Sequence, residues 1–149
     1  MEHLVLRAFQ RERAEIRWPF AVALNGDRRP VEQVDGAVYT SGLSCLVETK
    51  DTGDPVGIDP VAKLRFKLLR RPAATIGLLF SRSGITETAA VLVTHSGPQT
   101  ILTWNGDDLT YAVENKAMVR GLVAKFRYCV ERGVPDIDLQ LALANDRGE

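Results

Sequence analysis

Cysteine is scarce in this chain: Cys45 and Cys129 are the only two in 149 residues. Both lie in apolar stretches, which argues against a disulfide framework or a cysteine metal knuckle and suggests buried thiols. His3 and His95 are the only histidines, and no nucleophile–base pairing can be built on either. Long hydrophobic runs are missing too. The longest, such as Phe20–Leu24 and Ala89–Val93, are about five residues, against the ~20 needed to span a bilayer. No membrane partner is therefore expected. Met1-Glu2-His3-Leu4 lacks the basic region and apolar stretch of a secretion signal, so the cytoplasm is the expected compartment. No glycine pattern matches a phosphate loop or a dinucleotide fingerprint. Net charge is zero, with 19 basic against 19 acidic residues. That excludes a uniformly basic coat but leaves room for a local basic patch.

With 45% hydrophobic and 26% charged residues, the chain suits one compact domain. At this length it can bury roughly 70% of its unfolded surface without a disulfide or metal. Leu4, Leu6, Phe9 and Ile16 predict a helix from Leu4 to about Ile16, stopped by Pro19. Phe20–Leu24 reads as a short strand and Asn25-Gly26-Asp27 as a turn. Val34–Thr40 and Leu43–Lys50 predict two strands joined at Ser41-Gly42. Ile58, Val61, Leu64 and Leu68 recur at helical spacing, with Asp59 expected as N-cap, Pro60 at the first helical position and Arg71-Pro72 as the stop. Ile76–Phe80 is continuously apolar, as in a strand covered on both faces. A helix over Ser83–Val93, a strand over Thr100–Trp104, a turn at Asn105-Gly106 and a long helix around Asn115–Glu131 follow. This order implies an α/β domain with a mixed sheet over residues 1–133, and a loose tail over 134–149.

The hairpin carries the candidate chemistry. With Ser41 and Gly42 as its loop, Thr40 falls opposite Leu43, Val38 opposite Cys45, and Asp35 opposite Glu48. Lys50 shares the face of Glu48. Two carboxylates placed opposite each other repel, and their apolar neighbours Val34, Ala37, Leu46 and Val47 limit screening by water. A hard divalent ion would relieve that repulsion; Mg²⁺ is typically held by one or two carboxylates, waters and substrate phosphates. Lys50 would then orient the attacking water or help deprotonate it, as suits metal-assisted phosphodiester hydrolysis. The bland alternative is a cross-strand salt-bridge cluster on a solvated edge. Glu114-Asn115-Lys116 repeats the acid-x-Lys spacing, but without a facing strand.

Val34-Asp35-Gly36-Ala37, Leu46-Val47-Glu48-Thr49-Lys50, Gly57-Ile58-Asp59 and Gly77-Leu78-Leu79-Phe80-Ser81 together resemble the PD-(D/E)xK nuclease superfamily, and within it the Mrr-like restriction endonuclease domains. The likeness runs from about Val34 to Ala90. It implies a restriction-endonuclease-like core with a mixed central sheet flanked by helices. It also implies Mg²⁺ (or Mn²⁺) held by Asp35, Glu48 and the carbonyl of Thr49, with Lys50 acting on water. Some relatives add a glutamate from the N-terminal helix, for which Glu12 and Glu15 are the candidates.

Lys63, Arg65, Lys67, Arg70 and Arg71 form a basic block without an acid, outside the buried stripe of the Ile58–Leu68 helix. They are expected either as a solvated face or as contacts to phosphates flanking the site. The resulting expectation is metal-dependent DNA hydrolysis, with a homodimer or larger host complex supplying a second site for duplex cleavage. One alternative is a catalytically inactive nucleic-acid-binding or interaction module in a defence or signalling assembly. A second is a hydrolase of a small phosphorylated molecule.

Overall fold

The computed structural model describes residues 1–23 and 32–148. Helix α1 (Glu2–Arg11) ends earlier than its apolar spacing suggests. The Ala14 amide turns back to the Phe9 carbonyl, and Arg13 takes a left-handed φ of 71°. Ile16 therefore lies in strand β1 (Glu15–Arg17), opposite Val38. Strand β2 (Phe20–Val22) pairs antiparallel with β3 (Glu32–Val34) as a separate two-stranded ribbon. Leu24 and the expected turn Asn25-Gly26-Asp27 lie outside the described residues.

Strands β4 (Gly36–Thr40) and β5 (Leu43–Lys50) form the anticipated hairpin, with Thr40 opposite Leu43 and Val38 opposite Cys45. Ser41 and Gly42 have φ of 53° and 77°. Positive values at both loop positions match the twist of a two-residue hairpin turn. The chain continues through α2 (Ile58–Leu69), β6 (Ile76–Ser81), α3 (Glu87–Thr94), β7 (Thr100–Asn105), α4 (Gly106–Glu114), α5 (Met118–Arg132) and α6 (Leu139–Asp146).

Local details depart from expectation at helix starts. Gly57, not Asp59, is the N-cap of α2; Asp59 sits in the first turn, where its charge suits the helix dipole. Thr86 caps α3, which begins after the expected Ser83. Asn105 is not a turn residue but caps α4, accepting from the Asp108 amide at 2.8 Å.

One sheet runs β1-β4-β5-β6-β7, antiparallel on the hairpin side and parallel from β5 onward. Every residue of β6 is buried, as its apolar run requires. Its faces meet two cores. On one, Val5, Leu6 and Phe9 of α1 join residues of α4, α5 and α6 over Val47, Phe80 and Trp104. On the other, Val61, Leu64 and Leu68 of α2 and Ala89 and Val93 of α3 cover Leu46, Leu79 and Ile101. Burial pushes the Cys45 thiol up to about 12, consistent with an inert core residue.

Residues beyond Gly133 are not a loose tail. Ile137, Leu139, Ala142 and Leu143 are buried in the first core. Fully buried Lys125 donates to the carbonyls of Thr103 and Ile137 and to Asp108 at 3.0 Å, while Asp108 accepts the Leu139 amide. Burial lowers the Lys125 pKa, with Asp108 acting against that shift. Among the described residues no helix is long and apolar enough to cross a membrane.

Candidate active site

The β4–β5 ladder stops at Gly36 opposite Val47, so the next pair, Asp35 with Glu48, does not form within it. Gly36 is the last residue before the break. Its φ is 155°, and a β-carbon there would lie 2.9 Å from the Arg17 carbonyl oxygen and 2.7 Å from Leu6. Only glycine lets α1 and β1 close onto the strand at this point. Asp35, half-buried beside it, turns its carboxylate towards β5. Asp35 Oδ2 accepts from the Thr49 amide at 2.8 Å and from the Thr49 hydroxyl at 3.1 Å.

Strand geometry aims a further oxygen at this point. The Arg82 amide donates to the Lys50 carbonyl, so the backbone groups of Lys50 face β6. Those of Thr49 therefore face β4, beyond its last pair. Because the N–H and C=O of one strand residue point to the same side, the Thr49 carbonyl is directed to the side on which Asp35 lies.

Glu48 is buried, and each of its oxygens meets an ammonium. Lys50 Nζ lies 3.3 Å from Oε1, and Lys67 Nζ lies 3.0 Å from Oε2. Lys67 also donates to the Gln33 carbonyl at 2.6 Å, joining α2 to β3. Asp35 Oδ1 receives no hydrogen bond from the described residues. Carboxylate and carbonyl oxygens are the hard donors that Mg²⁺ takes, but here both Glu48 oxygens are already held by ammonium groups. No group of three or more acidic, histidine or cysteine side chains capable of holding a metal occurs among the described residues.

Neither expected glutamate from the N-terminal segment reaches this site. Both oxygens of Glu12 accept from the start of α5, at the Met118 amide (2.8 Å) and the Val119 amide (3.1 Å). Glu15 is exposed on β1, opposite Tyr39. The acid that α1 brings here is Glu2, whose Oε2 accepts from the Thr49 hydroxyl at 3.4 Å. Its backbone hydrogen bond is the main influence holding its carboxyl below the ordinary value. No local signal separated Glu2 from the other glutamates, because its role depends on where α1 begins against β5.

The basic block divides in the same way. Arg70 and Arg71 both pair with buried Glu32, and Lys67 belongs to Glu48. Arg65 makes a 3.5 Å hydrogen bond to Gln99, and Lys63 is exposed. Beside the site, a 640 Å³ cavity lies at the carboxyl ends of β5–β7, lined by Met1, Leu4, Asp51, Arg82 and Asp107 among others. Such ends are where open α/β sheets usually bind ligands.

No family model and no curated protein matches the chain. Among solved structures, AF1548, described as a protein of unknown function, aligns with a TM-score of 0.59 at 15% identity, over 98% of this chain and 94% of that one. The restriction endonuclease MspJI, in complex with a 27-mer oligonucleotide, aligns with a TM-score of 0.51 at 18% identity. The fold is restriction-endonuclease-like. The alignment covers 99% of this chain but 31% of MspJI, so the restriction-endonuclease-like unit corresponds to one part of that larger protein.

Proposed function

We propose that this chain hydrolyses DNA phosphodiester bonds with Mg²⁺, through a PD-(D/E)xK site of the Mrr-like kind. The observation that carries this reading is the convergence, where the β4–β5 ladder ends, of the Asp35 carboxylate with the Thr49 amide and hydroxyl, next to the Glu48–Lys50 pair. Asp35, Glu48 and the Thr49 carbonyl would hold the ion. Bound Mg²⁺ supplies a Lewis acid that stabilises charge on the phosphate oxygens. Lys50, held against Glu48, orients the attacking water. The water oxygen bonds to phosphorus as it gives up a proton to solvent, one phosphorus–oxygen ester bond breaks, and the departing sugar oxygen takes a proton from solvent. The likeness in fold to MspJI, solved with an oligonucleotide, supports DNA as the partner. Cutting both strands calls for two such sites, hence a second copy or a host complex.

The ion network Lys50–Glu48–Lys67 favours a second reading, in which Glu48 is simply neutralised and the chain binds nucleic acid without cutting it. A supercoiled-plasmid assay with Mg²⁺, Mn²⁺ or EDTA separates the two. Nicking that requires metal, and falls roughly hundredfold or more in Asp35→Ala, Glu48→Ala and Lys50→Ala, is the expected outcome. Plasmid binding with no nicking, and no thermal stabilisation by either metal, would establish the second reading instead.

A further inference from the structure

The α2 block is largely neutralised within the molecule, since Glu32 takes Arg70 and Arg71 and Glu48 takes Lys67. The cations around α1 are not. Arg7, Arg11 and Arg17 are exposed, and none has a carboxylate partner among the described residues. The nearby acids have other duties: Glu12 caps α5, and Glu2 accepts from Thr49. Glu15 is the remaining carboxylate of that stretch.

His3, Arg7 and Arg11 recur every four residues, so they form one stripe of α1 about 12 Å long at 1.5 Å per residue. Exposed Trp18 lies against the stripe. Its ring stacks on His3 with centroids 5.5 Å apart, and the Arg7 guanidinium sits 5.4 Å from its centroid. The latter contact restrains Arg7 while leaving its charge at the surface. On the other flank, Arg7, Arg11 and Lys116 line a groove of 300 Å³ with Leu4, Val113 and Glu12, whose carboxylate oxygens are taken up by the Met118 and Val119 amides. The stripe begins beside Glu2, the α1 residue that touches Thr49 at the candidate site. Arg17 is paired with Ala37, two positions from Asp35.

We infer that the nucleic acid is held along α1, with Arg7, Arg11 and Lys116 on its phosphates and Trp18 fixing Arg7, and not along α2. This deepens the nuclease reading and rests on it. Cations without internal partners lose the least when they exchange solvent for phosphate, whereas Lys67, Arg70 and Arg71 would first have to abandon a buried carboxylate.

The test is fluorescence anisotropy of a labelled duplex oligonucleotide, titrated with the full chain in EDTA over a range of salt concentrations. Arg7→Gln/Arg11→Gln is expected to weaken binding and to lower the slope of log affinity against log salt by about 2, at ~0.9 per phosphate contact. Lys63→Gln/Arg65→Gln, the α2 cations without a carboxylate partner among the described residues, should stay within about twofold of wild type. Trp18→Ala should weaken binding, and Trp18→Phe should restore most of it. An unchanged salt slope in the α1 double variant, or a loss confined to the α2 pair, would overturn the inference. So would a wild-type chain that binds no duplex. Nicking is scored separately: α1-dependent binding by a chain that never nicks removes the nuclease reading and leaves the α1 surface standing.

Discussion

Lys67 bridges the Gln33 carbonyl and Glu48 Oε2. From its position on α2 it belongs to a basic face, yet its stem carries the ammonium back to the sheet. Its partner is buried and keeps Lys50 on the other oxygen. Removing Lys67 therefore leaves Glu48 half-compensated. Lys67→Met is expected to lower stability by about 1–3 kcal/mol in urea unfolding without metal. Added Mg²⁺ should recover part of the loss if the ion takes up the uncompensated charge. A variant as stable as wild type would show that Glu48 does not depend on this contact. Glu2 and Glu12 make the same point about residue identity: two glutamates of one short segment serve the candidate site and the α5 cap respectively.

The C-terminal elements are tied together by one buried ammonium. Lys125 on α5 meets Asp108 on α4, the Thr103 carbonyl on β7, and the Ile137 carbonyl just before α6. Lys125→Met would strand Asp108 as a buried charge and is expected to cost about 3–5 kcal/mol, measured by denaturant unfolding. The pH dependence has a definite sign. The Lys125 pKa in the folded chain lies below its ordinary 10.5. Between those two values the unfolded chain binds the extra proton, so stability from this group rises with pH through that window. In Lys125→Met that alkaline rise should disappear; a rise of equal slope in the variant would assign it to another group.

Across the whole molecule, the helices beyond β7 complete the first core. Ile137, Leu139 and Leu143 are each less than a tenth exposed. At about 1.5–3 kcal/mol per large apolar side chain, their burial rivals the 5–15 kcal/mol that usually separates folded from unfolded chains. A chain ending at Gly133 should therefore lose its cooperative thermal transition. A sharp melt close to the full-length midpoint would mean that 134–149 is dispensable. The carboxyl ends of β5–β7 and the exposed side of α1 remain open next to the candidate site.

Much of this architecture was legible in local pattern. The Val-, Tyr- and Leu-rich strands and the Ser41-Gly42 loop set the hairpin register. The stripe Val61, Leu64 and Leu68 set the buried face of α2, and the apolar run Ile76–Phe80 marked a strand covered on both sides. Each depends on neighbours within a few residues, where side-chain period dictates orientation. The remaining features depend on distant partners. Arg71 is neutralised by a glutamate 39 positions away, and Glu12 caps an amide 106 positions away. Charge runs and isolated glutamates carry no record of which opposite charge the fold will bring to them. Periodicity along the chain thus determined the strands and helices. Only the packing of remote segments decided which cations remain at the surface, which glutamate reaches Thr49, and that Lys67 turns inward to Glu48.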